Sequence, residues 1–278
     1  MKLIADHPVE TVCRVLDFPR SSVYYRGKEP DESSLKKAIS ELAAAWPTYG
    51  YRRLTAMLQR QNWCVNRKRV LRLMREMGLL RAKKPKKKRT TNSAHSHPRY
   101  SNLVAELTVA RPDQVWVADI TYIRLRHGFV YLAVILDVYR RAMRGWHLGR
   151  SLDLSLTLSA LRQALSKGTP EIHHSDQGIQ YSAPAYTDVL RAAGVKSSMA
   201  EVGQPTQNGY AERVIRTLKE EEVDLSDYQD DTEARQQIKK FLEEVYNKER
   251  IHSALGYLTP IEFENLWHKQ TETAVKVP

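Results

Sequence analysis

Three acidic residues have the types and surroundings to do chemistry together. Asp119 lies inside an apolar, β-branched stretch, "VWVADITYIRL" (115–125). Asp176 lies in the polar turn "HHSDQGIQYS", with Gly178 two residues on. Glu212 lies in "NGYAERVIRTLKEEEV" (208–223), where Ala211, Ile215 and Leu218 recur at helical spacing. A carboxylate among strand-forming apolar residues is costly to desolvate unless something offsets its charge. Clustered carboxylates raise that cost, and a divalent cation reverses it. Oxygen donors suit Mg2+ or Mn2+. Two such ions about 3.5–4 Å apart can activate a nucleophile and stabilise a leaving oxygen in phosphoryl transfer. Arg216 and Lys219 follow Glu212 on one stripe of its helix, placed to hold an incoming phosphate backbone.

Each acid also has a plainer role. Asp176 alone fits a turn or a helix cap. Glu212 alone fits a solvated helix position paired with Arg216. Asp119 fits its plain role least well, because its neighbours are apolar. Asp137, ending the next apolar stretch, competes as a third ligand or as a supporting residue.

Bringing these groups together requires a sheet edge and a helix. "VWVADITYIRL" and "FVYLAVILDV" (129–138) read as two strands joined at "RHG", the second apolar enough to be buried on both faces. A more polar third strand spans Ala142–Leu148, and short strands follow at 171–175 and 195–199. Helical patterns occupy 153–168, 182–194, 208–223 and 232–249. Three strands followed by alternating helices and strands predict an α/β layered domain with a mixed five-stranded sheet and flanking helices. The stretch 201–209, "EVGQPTQNG", has the turn-forming composition of a mobile loop.

The first third of the chain is different. Residues 1–100 hold 23 Lys and Arg against 8 Asp and Glu, whereas residues 101–278 hold 21 against 24. The whole excess of the +12 net charge is therefore N-terminal, which points to a polyanion such as nucleic acid. Short helical patterns cover 9–16, 34–45, 52–61 and 66–80. In the last, Val70, Leu73, Met74 and Met77 share one face and Lys68, Arg72 and Arg75 the other, with Asn66 as cap. Arg52 and Arg53 follow the break at Pro47 and Gly50. The pattern predicts a small all-α, helix-turn-helix-like DNA-binding module over 1–80. A basic linker (81–110), a catalytic core (111–265) and a tail (266–278) complete the division. No run of about 18 apolar residues could cross a membrane. The two cysteines, Cys13 and Cys64, form no disulfide framework, so a cytoplasmic setting is expected.

The triad and its surroundings resemble a known family. Asp119, Asp176 and Glu212, with 35 residues between the last two, resemble the DD35E triad of retroviral integrases and many bacterial transposases. "WVADITYI", "HHSDQGIQYS" and "GQPTQNGYAERVIRTLKEE" are similar to the three acid-bearing segments, and "YNKERIHSALGYLTP" (246–260) to the segment closing the core. "WPTYGYRRL" and "VNRKRVLRLMREMGL" resemble the module preceding the core in insertion-sequence transposases of the OrfB type.

The resemblance implies a ribonuclease H-like fold and two Mg2+ ions held by Asp119, Asp176 and Glu212. It implies cleavage at transposon ends, then attack of the freed 3′-OH on another phosphodiester, without ATP or a covalent protein intermediate. It also implies DNA as partner, a homo-oligomer holding two DNA ends, and an upstream reading frame as partner or fusion. The chain departs from the retroviral pattern in lacking its two-His, two-Cys zinc module: His95 and His97 stand apart from Cys13 and Cys64. It has no sustained heptad pattern. Two other readings share part of this pattern: a non-catalytic DNA-binding regulator with a defunct core, and a ribonuclease of RNA–DNA hybrids.

Overall fold

The computed structural model describes residues 6–25, 31–80, 99–201 and 203–275. Most of the basic linker, 81–98, lies outside the described residues, as do His95 and His97.

The N-terminal part is helical: α1 (Val9–Val15), α2 (Arg20–Tyr24), α3 (Ser33–Ala45), α4 (Tyr51–Arg60) and α5 (Arg67–Glu76). Leu35, Ile39, Leu54, Leu58, Val70 and Leu73 bury the inner faces of α3–α5. The Asn66 side chain accepts the Arg69 backbone N–H at 2.9 Å and caps α5 as its sequence predicts.

The core is a five-stranded sheet in the order β3-β2-β1-β4-β5. Its strands are β1 (Val115–Arg124), β2 (Phe129–Asp137), β3 (Met143–Gly149), β4 (Ile172–Ser175) and β5 (Lys196–Met199). The first three pair antiparallel, and β4 and β5 run parallel to β1. Alternation along β1 sends Val115 and Val117 to one face and Trp116 and Ala118 to the other. The first face packs on α9 (Gly209–Glu221), α10 (Asp231–Lys240) and a π-helix (Phe241–Glu249). The second packs on α6 (Leu154–Leu165), the single turn α7 (Ile179–Ser182) and α8 (Pro184–Ala192). Central β2 is buried on both faces, which its unbroken apolar run requires. A Cβ on Gly145 of β3 would collide with the Ala160 carbonyl, so this glycine sets how closely α6 approaches the sheet.

Three features differ from the sequence expectation. The pattern over 232–249 is split between α10 and the π-helix rather than being one α-helix. The stretch from 266, expected to be a tail, continues α11 (Pro260–Val275), which Arg140–Glu264 and Arg60–Glu262 ion pairs hold to the rest. Asp137, the alternative third acid, is already engaged. It is fully buried, its Oδ2 accepting the Asp113 N–H at 2.7 Å and the Arg140 guanidinium at 3.1 Å. Its carboxylate is consumed by that pairing, three residues along β2 from Val134, the partner of Asp119.

The helical module is docked on the core by a buried ion cluster. Glu221, at the end of α9, accepts two hydrogen bonds from Arg250, both at 2.7 Å. Arg53 of α4 reaches the same carboxylate at 3.5 Å. The Tyr49 hydroxyl accepts the Ile251 N–H at 3.2 Å, and the Ile251 side chain completes the module's own core. Arg250 and Glu221 side chains are only 3% and 8% exposed, so removing one partner strands a buried charge. Glu221→Gln should therefore cost about 3–5 kcal/mol. Urea denaturation followed by tryptophan fluorescence checks this, and a loss below about 1 kcal/mol would assign the docking to apolar contacts instead.

Candidate active site

The β1–β4 pairing builds the site. Ala118 is the partner of Ser175 across two parallel strands, so Asp119 and Asp176 are the next residue along on each. Neighbouring strands lie about 4.8 Å apart, which sets the two carboxylates side by side. Asp119 remains within β1, and its Oδ1 accepts the Ile120 N–H at 2.8 Å. Asp176 has left the sheet, and its Oδ1 accepts the Gly178 N–H at 3.0 Å in a tight turn. A Cβ on Gly178 would sit 3.0 Å from that same oxygen, so glycine lets the turn close around the carboxylate. Gln177 anchors the turn by donating to the Ala200 carbonyl at 3.0 Å.

Glu212 comes from the opposite side, in the first turn of α9. Ala211, Val214, Ile215 and Leu218 bury that helix against the sheet. Asn208, just before it, donates to the Ala118 carbonyl at 3.0 Å and ties the helix start to the residue preceding Asp119. Behind the turn, His173 and His174 are fully buried and serve as packing. Burial pushes them down to about 3 and about 4, so both are neutral. His173 Nε2 bonds the Tyr186 hydroxyl at 3.0 Å, and His174 Nδ1 bonds Ser198 Oγ at 2.9 Å.

Asp119 is the acid whose electrostatics registers the other two. The Asp119 carboxyl is pushed up to about 7, first by burial, then by the Asp176 charge and, more weakly, by Glu212. The Ile120 N–H and Lys219 pull the other way without cancelling this. Lys219 reaches this neighbourhood from α9, with its Nζ 4.5 Å from the centre of the exposed Tyr122 ring. Among the described residues, no three His, Cys, Asp or Glu side chains lie close enough as they stand to hold a metal ion. The donor set nevertheless suits a divalent cation in its chemistry: oxygen ligands, side by side, with too little positive charge beside them.

The other sequence-predicted residues divide into two groups. Lys68 and Arg75 are exposed on α5. Arg52 and Arg216 are exposed and line a cleft of about 580 Å³ between the module and α9. Arg53 and Arg72 are already engaged. Arg53 is turned inward to Glu221, and Arg72 bonds Glu32 at 2.7 Å and Glu76 at 2.6 Å. Arg213, exposed in the same cleft as Arg216, was not singled out from sequence; its spacing from Arg216 on α9 was the available signal.

The raised Asp119 carboxyl carries a pH dependence. Its ordinary value is 3.8 and its folded value about 7. At this group the folded state binds more protons between these values than the unfolded chain does. The contribution of Asp119 to stability should therefore fall as pH rises from about 4 to about 7, by on the order of a few kcal/mol, against an opposing rise from the buried histidines, whose folded values lie below the ordinary 6.5. In urea titrations at pH 5 and pH 8, Asp119→Asn should gain more stability with pH than the wild type; an identical gain would locate the titration elsewhere.

Two models described as integrase core domain match residues 109–205 and 193–260, and an HTH-like domain matches residues 29–88. The chain is 34% identical to the insertion element IS600 uncharacterized 31 kDa protein of Shigella sonnei, over 93% of this chain and 99% of that one. It is 36% identical to the transposase for insertion sequence element IS904 of Lactococcus lactis, over 78% of this chain and 87% of that one. Among solved structures it is similar to the HTLV-2 integrase catalytic core domain in complex with magnesium. That likeness has 19% identity and a TM-score of 0.41, over 55% of this chain and 96% of that one. With a mixed five-stranded sheet, an integrase core and a helical module in one chain, the protein belongs to the insertion-sequence transposases, DDE-type polynucleotidyl transferases.

Proposed function

We propose that this transposase cuts at the ends of its element and joins the freed 3′-OH to target DNA by transesterification, with Asp119, Asp176 and Glu212 as the catalytic carboxylates. The observation that carries the reading is the burial of Asp119 beside Asp176 and Glu212, which together push its carboxyl up to about 7. Bound divalent cations, two Mg2+ or Mn2+, would supply charge neutralisation and Lewis-acid polarisation of phosphate oxygens. The three carboxylates would be their ligands. The Ile120 and Gly178 N–H groups fix one oxygen each of Asp119 and Asp176, and so orient the remaining oxygens. In cleavage, a water oxygen forms a bond to phosphorus and the 3′ oxygen leaves with a proton. In joining, that 3′ oxygen attacks a target phosphorus and displaces another 3′ oxygen, so phosphodiester bonds are conserved.

The DNA is held in two places on this reading. Lys219, Arg216, Arg213 and Arg52 follow the backbone beside the catalytic helix. Lys68 and Arg75 on α5 engage the end sequence, Arg72 and Arg53 contributing less because glutamates already hold them. Holding two ends calls for more than one copy of the chain, and an upstream-frame product is a further candidate partner. The described residues include no helix long and apolar enough to cross a membrane; the DNA substrate places the reaction in the cytoplasm, at the nucleoid.

A strand-transfer assay on terminal-repeat DNA tests the chemistry. Joined product should require Mg2+ or Mn2+, vanish with chelator, and fall to background in Asp176→Asn with the circular dichroism spectrum unchanged. Binding without joining in the wild type would favour a regulator, and cleavage confined to RNA–DNA hybrid would favour a ribonuclease. For the module, Lys68→Ala and Arg75→Ala should each lower the slope of log affinity against log salt by about 1. Arg72→Ala should move it less; the reverse order would contradict the assignment of free and engaged cations.

A further inference from the structure

Between the helical module and the core, next to the cleft that Arg52 and Arg216 line, lies a cavity of about 230 Å³. Four arginines line it: Arg53 of α4, Arg141 between β2 and β3, Arg213 of α9 and Arg250 after the π-helix. Among the described residues, no Asp or Glu lines it. Glu221 offsets one of these charges through its bonds to Arg250 and Arg53. Arg141 and Arg213 form no ion pair among the described residues. Clustered charges of one sign destabilise a fold unless a counter-ion offsets them.

The walls of the cavity are built rather than incidental. Arg250 is 2% exposed, so its charge is fixed in place. Arg141 has a left-handed backbone, with φ +56°, where a residue with a Cβ is strained and glycine is not. Glycine would remove that strain and lose the guanidinium, which lies 4.1 Å from the centre of the Tyr210 ring. Tyr210 lines the same cavity. His252 lines it too. Burial, then the charges of Arg250, Arg53 and Arg141, push that imidazole down to about 2, so it brings polar nitrogens without a further charge.

We propose that this cavity binds a phosphate group, one backbone phosphate of the DNA end, gripped by Arg141 and Arg213 with Arg53 and Arg250 adding positive field. A guanidinium offers paired donors matched to phosphate oxygens and keeps its charge when partly buried. Continuity with the cleft decides the source of the phosphate. Arg53, Arg213 and Ser253 line both, so a strand running past Arg52 and Arg216 also passes the cavity. The inference rests on DNA as the substrate and names one place where that substrate is held at the junction of module and core.

The test uses the full chain and two probes, inorganic phosphate and terminal-repeat DNA. Phosphate should raise the wild-type melting temperature by about 2–4 °C over chloride at equal ionic strength. Arg141→Gln and Arg213→Gln should each remove most of that rise, and Arg191→Gln, on α8, should keep it. Equal rises in all four proteins would reveal a general salt effect and overturn the site. Terminal-repeat DNA with single neutral methylphosphonates then tests the source. At one position the neutral group should weaken wild-type binding about tenfold, and weaken Arg141→Gln and Arg213→Gln by less than about twofold further. Phosphate stabilisation without any coupled position would mean free phosphate only, and the backbone assignment falls. Failure of the wild type to bind the DNA, with phosphate stabilisation intact, would overturn the DNA reading and leave the phosphate cavity standing.

Discussion

The register of one parallel strand pair brings the two candidate catalytic aspartates together. Because Ala118 faces Ser175, two aspartates far apart in sequence emerge at the same level of adjacent strands. A slip of one residue would send each side chain to the opposite face of the sheet. The register is specified by what lies on either side of it. Val115 and Val117 are committed to one core and Trp116 and Ala118 to the other, so no neighbouring register buries the same groups. The apolar packing of β1 thereby supports a pair of like charges that would otherwise separate. The Ala200 N–H to Ser175 carbonyl bond, at 2.9 Å, extends the same restraint to β5.

The catalytic helix transmits that order outward. Glu212 and Glu221 lie on α9 nine residues apart, about 13.5 Å along the axis. The first is felt electrostatically by Asp119. The second is gripped by Arg250 from the core and Arg53 from the helical module. One rigid element therefore carries a member of the acid cluster near its start and the docking point of the basic module at its end. A module fixed in this way sets a distance between what α5 touches and where the acids sit. The Arg60–Glu262 pair and the Ile251 side chain restrain the same junction from other directions, so the helix is not a free hinge.

Much of this was legible in the residues. β-branched runs marked β1 and β2, and Asn66 and Asp153 marked the helix starts that their side chains cap. Asp119 was conspicuous because an acid among strand-forming apolar residues calls for a partner. The fate of individual cations was not legible. Residue type reports charge and reach, but not which carboxylate the fold will deliver. Glu32, far from Arg69 and Arg72 in sequence, engages both, and Glu221 takes Arg53 and Arg250. Asp137 and Asp119 end up on one strand pair in different surroundings, the first engaged by Arg140 and the second held by its own strand's Ile120 N–H. The turn Ile179–Ser182 is too short for periodicity to reveal.

The electrostatic tension in the site links its resting state to its working state. At neutral pH the metal-free cluster relieves repulsion in the simplest available way, by keeping a proton on Asp119 for part of the time. On the proposed metal-binding reading, Asp119 gives up that proton before both its oxygens serve as ligands, so proton and cation compete for one position and affinity for a cation rises with pH as Asp119 ionises. The fold does not remove the competition by supplying a compensating side chain: Lys219 stands near enough to be felt but not to neutralise the group. On the same reading a closer lysine would compete with the cation, and the cationic side chains on the flank of α9 would meet the phosphate backbone.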